Sequence, residues 1–81
     1  MRVSVRLGEP YFRQAGVRQF DLELAAGATV AELMAAIEAR FPALLEADVP
    51  PTVFIGDDVA PPDAPLADGS AATLVWAIAG G

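Results

Sequence analysis

The chain has 81 residues, enough for one domain that buries on the order of 60% of the surface its unfolded form exposes. It holds no Cys and no His, and all five of its basic residues are Arg; this excludes thiol nucleophiles, imidazole bases, disulfides, ordinary zinc sites, Schiff bases and phosphate-loop lysines. Eleven Asp and Glu leave a net charge of −6, which repels nucleic-acid phosphates and anionic membrane surfaces and favours a partner with a basic docking face.

Met1-Arg2 leads directly into Val3, Val5 and Leu7, which alternate with Arg2, Ser4 and Arg6 at the period of a half-buried strand. No signal peptide precedes it and no apolar run approaches a membrane span, so a cytoplasmic protein is expected. Gly8, Pro10 and Gly16 bracket a loop. Phe20, Leu22 and Leu24 then alternate with Asp21 and Glu23, which predicts a second strand antiparallel to the first. After Gly27 the period changes. Thr29 and Glu32 have the spacing of a capping box, and Val30, Leu33, Met34, Ile37 and Phe41 form one helical stripe that ends before Pro42. Such a stripe is ordinary core packing.

Residues 43–51 read as an irregular connection with Leu44 and Leu45 turned inward. Val53 and Ile55 alternate with Phe54 in a third strand, and Gly56-Asp57-Asp58 turns into a short fourth one at Val59. Pro61, Pro62 and Pro65 keep the following stretch irregular. Asp68-Gly69 is a turn signal before a last strand over residues 72–78. The sequence then ends in Gly80-Gly81, a pair without Cβ atoms that can lie extended in a slot too narrow for other residues. Its one functional group is the Gly81 α-carboxylate.

The segments AAGATVAELMAAIEARFP, PLADG and AIAGG, in this order and spacing, resemble the MoaD/ThiS sulfur-carrier family over nearly the whole chain, and within it most resemble the MoaD branch, small subunits of molybdopterin synthase. The resemblance implies an α+β fold, a ubiquitin-like β-grasp: a mixed sheet of about four to five strands with one main helix on one face and the last strand central beside the first. The domain would span residues 1–81, with a flexible diglycine tail over about 77–81. Implied chemistry starts at Gly81, whose carboxylate an E1-like adenylyltransferase activates with ATP before sulfur replaces AMP to leave a thiocarboxylate. The tail residues Ile78, Ala79 and Gly80 would enter a partner's channel. The partner would be the large subunit of molybdopterin synthase, in a heterotetramer, which would take the tail into its active site and use the sulfur to build the dithiolene of a pterin precursor. The carrier would hold no cofactor or metal and supply no catalytic side chain. Delivery of sulfur for cysteine, thiamine or another product stays open. So do protein modification through the same activated end and a non-covalent interaction module.

Sheet alternation says where partners would dock. With Val3, Val5, Leu7, Val53, Ile55, Ala72 and Leu74 facing the helix, Arg2, Arg6, Phe54, Thr73 and Val75 share the open face. Phe54 and Val75, with Arg6 beside them and Trp76 at the strand's end, form the expected docking patch at the base of the tail. Asp57-Asp58 and Glu46 with Asp48 read as solvated turns, since nothing fixes the geometry a metal would need.

Overall fold

The computed structural model describes residues 1–9, 11–42, 44 and 51–76. Its elements are β1 (Arg2–Leu7), α1 (Tyr11–Ala15), β2 (Gln19–Glu23), α2 (Val30–Arg40), β3 (Thr52–Ile55), β4 (Asp58–Val59) and β5 (Ala71–Val75). The five strands form one sheet in the order β2-β1-β5-β3-β4. β1 and β5 run parallel, whereas the pairs β1/β2, β3/β5 and β3/β4 are antiparallel. This is the expected mixed sheet, with the last strand central.

Period-two patterning sets which face is buried. Val3, Val5, Leu7, Val53, Ala72 and Leu74 all lie in the core, joined by Val30, Leu33 and Ile37 from α2, so one face of the sheet is sealed by the stripe of one helix. Met34, Phe41 and Ile55 pack at its margin. Leu44 is buried as expected; Leu45, Glu46 and Asp48 lie outside the described residues. Phe41 stops the helix before Pro42 and sets its ring edge-on to Phe20, with centroids 5.1 Å apart.

The start of α2 shows why the proline-rich stretch has the shape it has. Helix N-termini leave backbone donors without intrahelical partners. Here Val30 N–H donates to the Ala64 carbonyl at 3.0 Å and Ala31 N–H to that of Pro62 at 2.9 Å, while Thr29 N–H donates to the Glu32 carboxylate at 3.3 Å. The capping box therefore works together with the loop carbonyls, and Thr29 pairs with Pro65 in an isolated bridge. A chain segment too rich in proline to form a strand still docks the helix end to the sheet's edge.

Two elements differ from the sequence reading. The stretch bracketed by Gly8 and Gly16 holds the short helix α1 in place of a plain loop, closed by Gly16 N–H donating to the Phe12 carbonyl with Gly16 at φ +81°. Five residues are too few for helical periodicity to register, but the burial of Tyr11 at 2% exposure anchors the turn. The last strand starts at Ala71 and its ladder ends at Val75, which faces Thr52, the first residue of β3; Trp76 is outside it, and residues 77 and 78 of the expected strand lie outside the described residues.

Candidate functional site

The parallel pairing of β1 with β5 puts the C-terminal ends of both strands at one edge of the sheet. Gly8 N–H donates to the Leu74 carbonyl at 2.8 Å, and Leu7 N–H to that of Arg18 at the same distance. A Cβ on Gly8 would lie 3.1 Å from the Leu74 oxygen; glycine there allows the chain to turn directly over the end of the central strand. The residues leading to the diglycine start from this edge. Ile78, Ala79, Gly80 and Gly81 themselves lie outside the described residues.

Trp76 follows the last paired residue. Its ring lies 6.3 Å from that of Tyr11, inclined at 34°, and it is 40% exposed. It thus rests on Tyr11 of α1 as a rim residue with one side against protein. Tyr11 is the feature the sequence reading missed. Its hydroxyl is buried and has no hydrogen-bond partner among the described residues, and burial pushes its pKa up because the phenolate would lose its hydration. The pairing of Gly8 before and Gly16 after a five-residue apolar-rich stretch was the one available signal.

On the open face, register confirms the expected alternation. Arg6 is the neighbour of Thr73, and Thr73 is the neighbour of Phe54. Gln19 lies across from Arg6 and Val59 across from Phe54, so a row Gln19–Arg6–Thr73–Phe54–Val59 crosses the sheet. Val75 faces Thr52, which makes it the diagonal neighbour of Phe54, at a spacing of roughly 7–8 Å for such positions. Phe54 and Val75 are half-buried, neither belongs to the core cluster, and Val59 is 64% exposed. Of the residues expected in the patch, Phe54, Val75 and Arg6 share the open face, with Val59 beside them on the edge strand, whereas Trp76 falls on the Leu74 side against Tyr11. Asp57 and Asp58 are exposed at the turn before Val59, toward the end of the sheet where β5 begins.

Two recesses flank this surface. An apolar groove of about 320 Å³ runs between α2 and β3, lined by Val30, Met34, Pro51, Val53, Val59 and Pro62. It offers no titratable group. A cleft of about 360 Å³ opens beside β1 and is lined by Arg6, Leu7, Arg18 and Gln19. Arg18 stacks on Phe12 of α1 with its guanidinium carbon 4.3 Å from the ring centroid, so its position is fixed from below. No helix among the described residues is long and apolar enough to cross a membrane.

Comparison with known proteins accords with this architecture. Solved structures of similar fold include SAMP1 from Haloferax volcanii, at TM-score 0.87 and 21% identity over 100% of both chains. A chain of the complex of subunits 1 and 2 of molybdopterin-converting factor from Helicobacter pylori matches at TM-score 0.69 and 22% identity, again over 100% of each. A chain of the Amycolatopsis orientalis BexX/CysO complex matches at TM-score 0.66 and 26% identity, over 98% of this chain and 99% of that one. No curated protein matches the sequence. The ThiS family model matches residues 5–81; on that match and on its ubiquitin-like β-grasp, the chain belongs to the ThiS family of MoaD/ThiS-like sulfur carriers.

Proposed function

We propose that the chain carries sulfur on Gly81 for molybdopterin biosynthesis, as the small subunit of a molybdopterin synthase. The observation that supports this most is that the family match runs through residue 81, so the diglycine lies inside the matching region. Chemically, a carboxylate is a poor electrophile. Its oxygen attacks the α-phosphorus of ATP on an E1-like adenylyltransferase, pyrophosphate leaves, and the resulting acyl adenylate has AMP as a good leaving group. A sulfide-level nucleophile then attacks the acyl carbon, AMP departs, and a thiocarboxylate remains. The carrier supplies an address and a reactive end, and needs neither a bound cofactor nor a side-chain base. Its lack of Lys also means that no side-chain amine of its own can intercept the adenylate. The likeness to a chain of the molybdopterin-converting factor complex of H. pylori supports a docked large subunit as the partner on which a pterin precursor would take the sulfur.

A second reading draws on the similarity to H. volcanii small archaeal modifier protein 1, at TM-score 0.86. In that case the activated Gly81 acylates a target lysine. The two share adenylation and differ in the acceptor. Incubation with ATP, a MoaD/ThiS-type activating enzyme from the same organism and sulfide separates them. The carrier reading expects the intact protein to gain the mass of one oxygen-to-sulfur exchange at Gly81, and to convert a pterin precursor when the large subunit is added. Isopeptide-linked lysines without that gain would favour the modifier. Removing Gly81, or adding a residue after it, displaces the carboxylate by about 3.5 Å, and full activity in either variant would end both.

A further inference from the structure

Charge is unevenly placed on this fold. Arg2 pairs with Glu23 at 3.1 Å, Arg13 with Glu9 at 3.0 Å, and Arg40 donates to the Asp21 carbonyl and stacks over Phe20. Arg6 and Arg18 have no ion pair among the described residues, yet both line the cleft beside the end of β1. The carboxylates of Glu23, Asp57, Asp58 and Asp68 belong to the other end of the sheet, where β1 and β5 begin: Asp68 accepts from Arg2 N–H, and Gly56 N–H donates to the Ala71 carbonyl. A chain of net charge −6 therefore shows two guanidiniums at the edge where β5 ends.

We propose that the Arg6–Arg18 cleft receives a single carboxylate side chain, Asp or Glu, from the activating enzyme. The proposal rests on the docking reading of the open face, and Arg6 joins the two, since it stands in one row with Thr73 and Phe54. Guanidinium groups present donors in a fork that matches a carboxylate. Arg18 is held by Phe12 from one side, so little ordering is lost on binding. The net charge decides against a polyanion, because the field of the whole chain repels an extended run of phosphates while one carboxylate set among neutral or basic neighbours feels mainly the two nearby cations. A basic partner surface, expected from net charge alone, suits the far end of the sheet and not this one.

The test uses the full chain and the purified activating enzyme from the same organism, with affinity measured by calorimetry at several NaCl concentrations. Arg6→Gln and Arg18→Gln each weaken binding about tenfold or more, and the double variant loses less than the product of the two, because both grip one carboxylate. The dependence of affinity on salt flattens in each variant. Both side chains are exposed, and a thermal melt confirms that each variant folds. Wild-type affinity and salt dependence in Arg18→Gln would overturn the proposal while leaving the docking face of Phe54 and Val75 intact. Multiplicative losses would assign the arginines to separate partners and overturn it as well. If the wild-type chain does not bind the enzyme at all, this proposal and the carrier reading fall together.

Discussion

The adjacent residues Leu74 and Val75 offer a sharp test of the sheet's register. Leu74 is fully buried in the central strand, with Leu7 beside it on β1 and Val53 on β3, both in the core. Its backbone is fixed from both sides, including by Gly8 N–H at 2.8 Å, so the strand cannot move inward to fill a void. Leu74→Ala should therefore reach the middle of the range for such truncations, about 3–4 kcal/mol. Against a total stability of roughly 4–12 kcal/mol for a chain of this size, that is a large fraction, and at about 4–8 °C per kcal/mol it lowers Tm by roughly 10–30 °C. Val75→Ala, on the open face and outside the core cluster, should cost less than about 1 kcal/mol. Thermal unfolding followed by circular dichroism measures both. If Val75→Ala proved the more damaging, the inward and outward faces of β5 would be exchanged and the docking patch would dissolve with them.

Tyr11→Phe should leave stability unchanged or raise it by about 1 kcal/mol, since it removes a buried hydroxyl that has no partner among the described residues; a loss above that size would reveal a hydrogen bond made elsewhere. The same residue gives a pH signature. Its folded pKa is raised by burial, so above the ordinary tyrosine value near 10 the native state holds more protons than the unfolded one, and stability falls as pH rises toward the folded pKa. That alkaline loss should shrink in Tyr11→Phe, as urea titrations on both sides of pH 10 would show. Gly8→Val brings a Cβ to within 3.1 Å of the Leu74 oxygen and should cost about 1–3 kcal/mol in a thermal melt. Phe54→Asp should keep its melting temperature within a few degrees but weaken binding to the activating enzyme or large subunit, because the charge stays hydrated until docking removes its water; undiminished binding would remove Phe54 from the interface.

Elements defined by repetition were legible before any coordinates. Val3, Val5 and Leu7, the α2 stripe from Val30 to Phe41, and Val53 against Phe54 each repeat a period often enough to fix a face, and the structure places them there. The row of Arg6, Thr73 and Phe54 followed from the same alternation once the strands were paired. What escaped depends on tertiary position. α1 is too short to show a period, so Tyr11 and Phe12 looked like loop aromatics, and Arg18 acquired meaning only when Phe12 came to lie beneath it. Where the β5 ladder ends was likewise hidden, since Trp76 suits a strand as well as Val75 does, and the limit of β3 at Thr52 marks the last pair. Net charge is silent in a different way: a sum over the chain carries no information about which end of the sheet holds which sign.

Those placements bear on how a carrier of this build can work. If sulfur is carried on Gly81, residues 77–81 can extend at most about 18 Å. The acceptor's reacting centre must then lie within that distance of the sheet edge where β5 ends, and whatever fixes the carrier's orientation acts most effectively close to that edge, where a given rotation displaces Gly81 least. Val75, Arg6, Arg18 and Trp76 are at or near this end and Phe54 is one step back, level with Thr73 in mid-strand, whereas the turns with Asp57 and Asp68 are at the other. In the proposed docking, apolar contact at Phe54 and Val75 would provide area without direction, and the two arginines beside it would add direction, since a forked donor pair accepts a carboxylate in few orientations. If partners dock there as proposed, affinity and aim would fall to neighbouring groups, with Arg6 and Phe54 sharing one row and Val75 diagonal to Phe54, and a partner could exchange one for another without altering the reactive end.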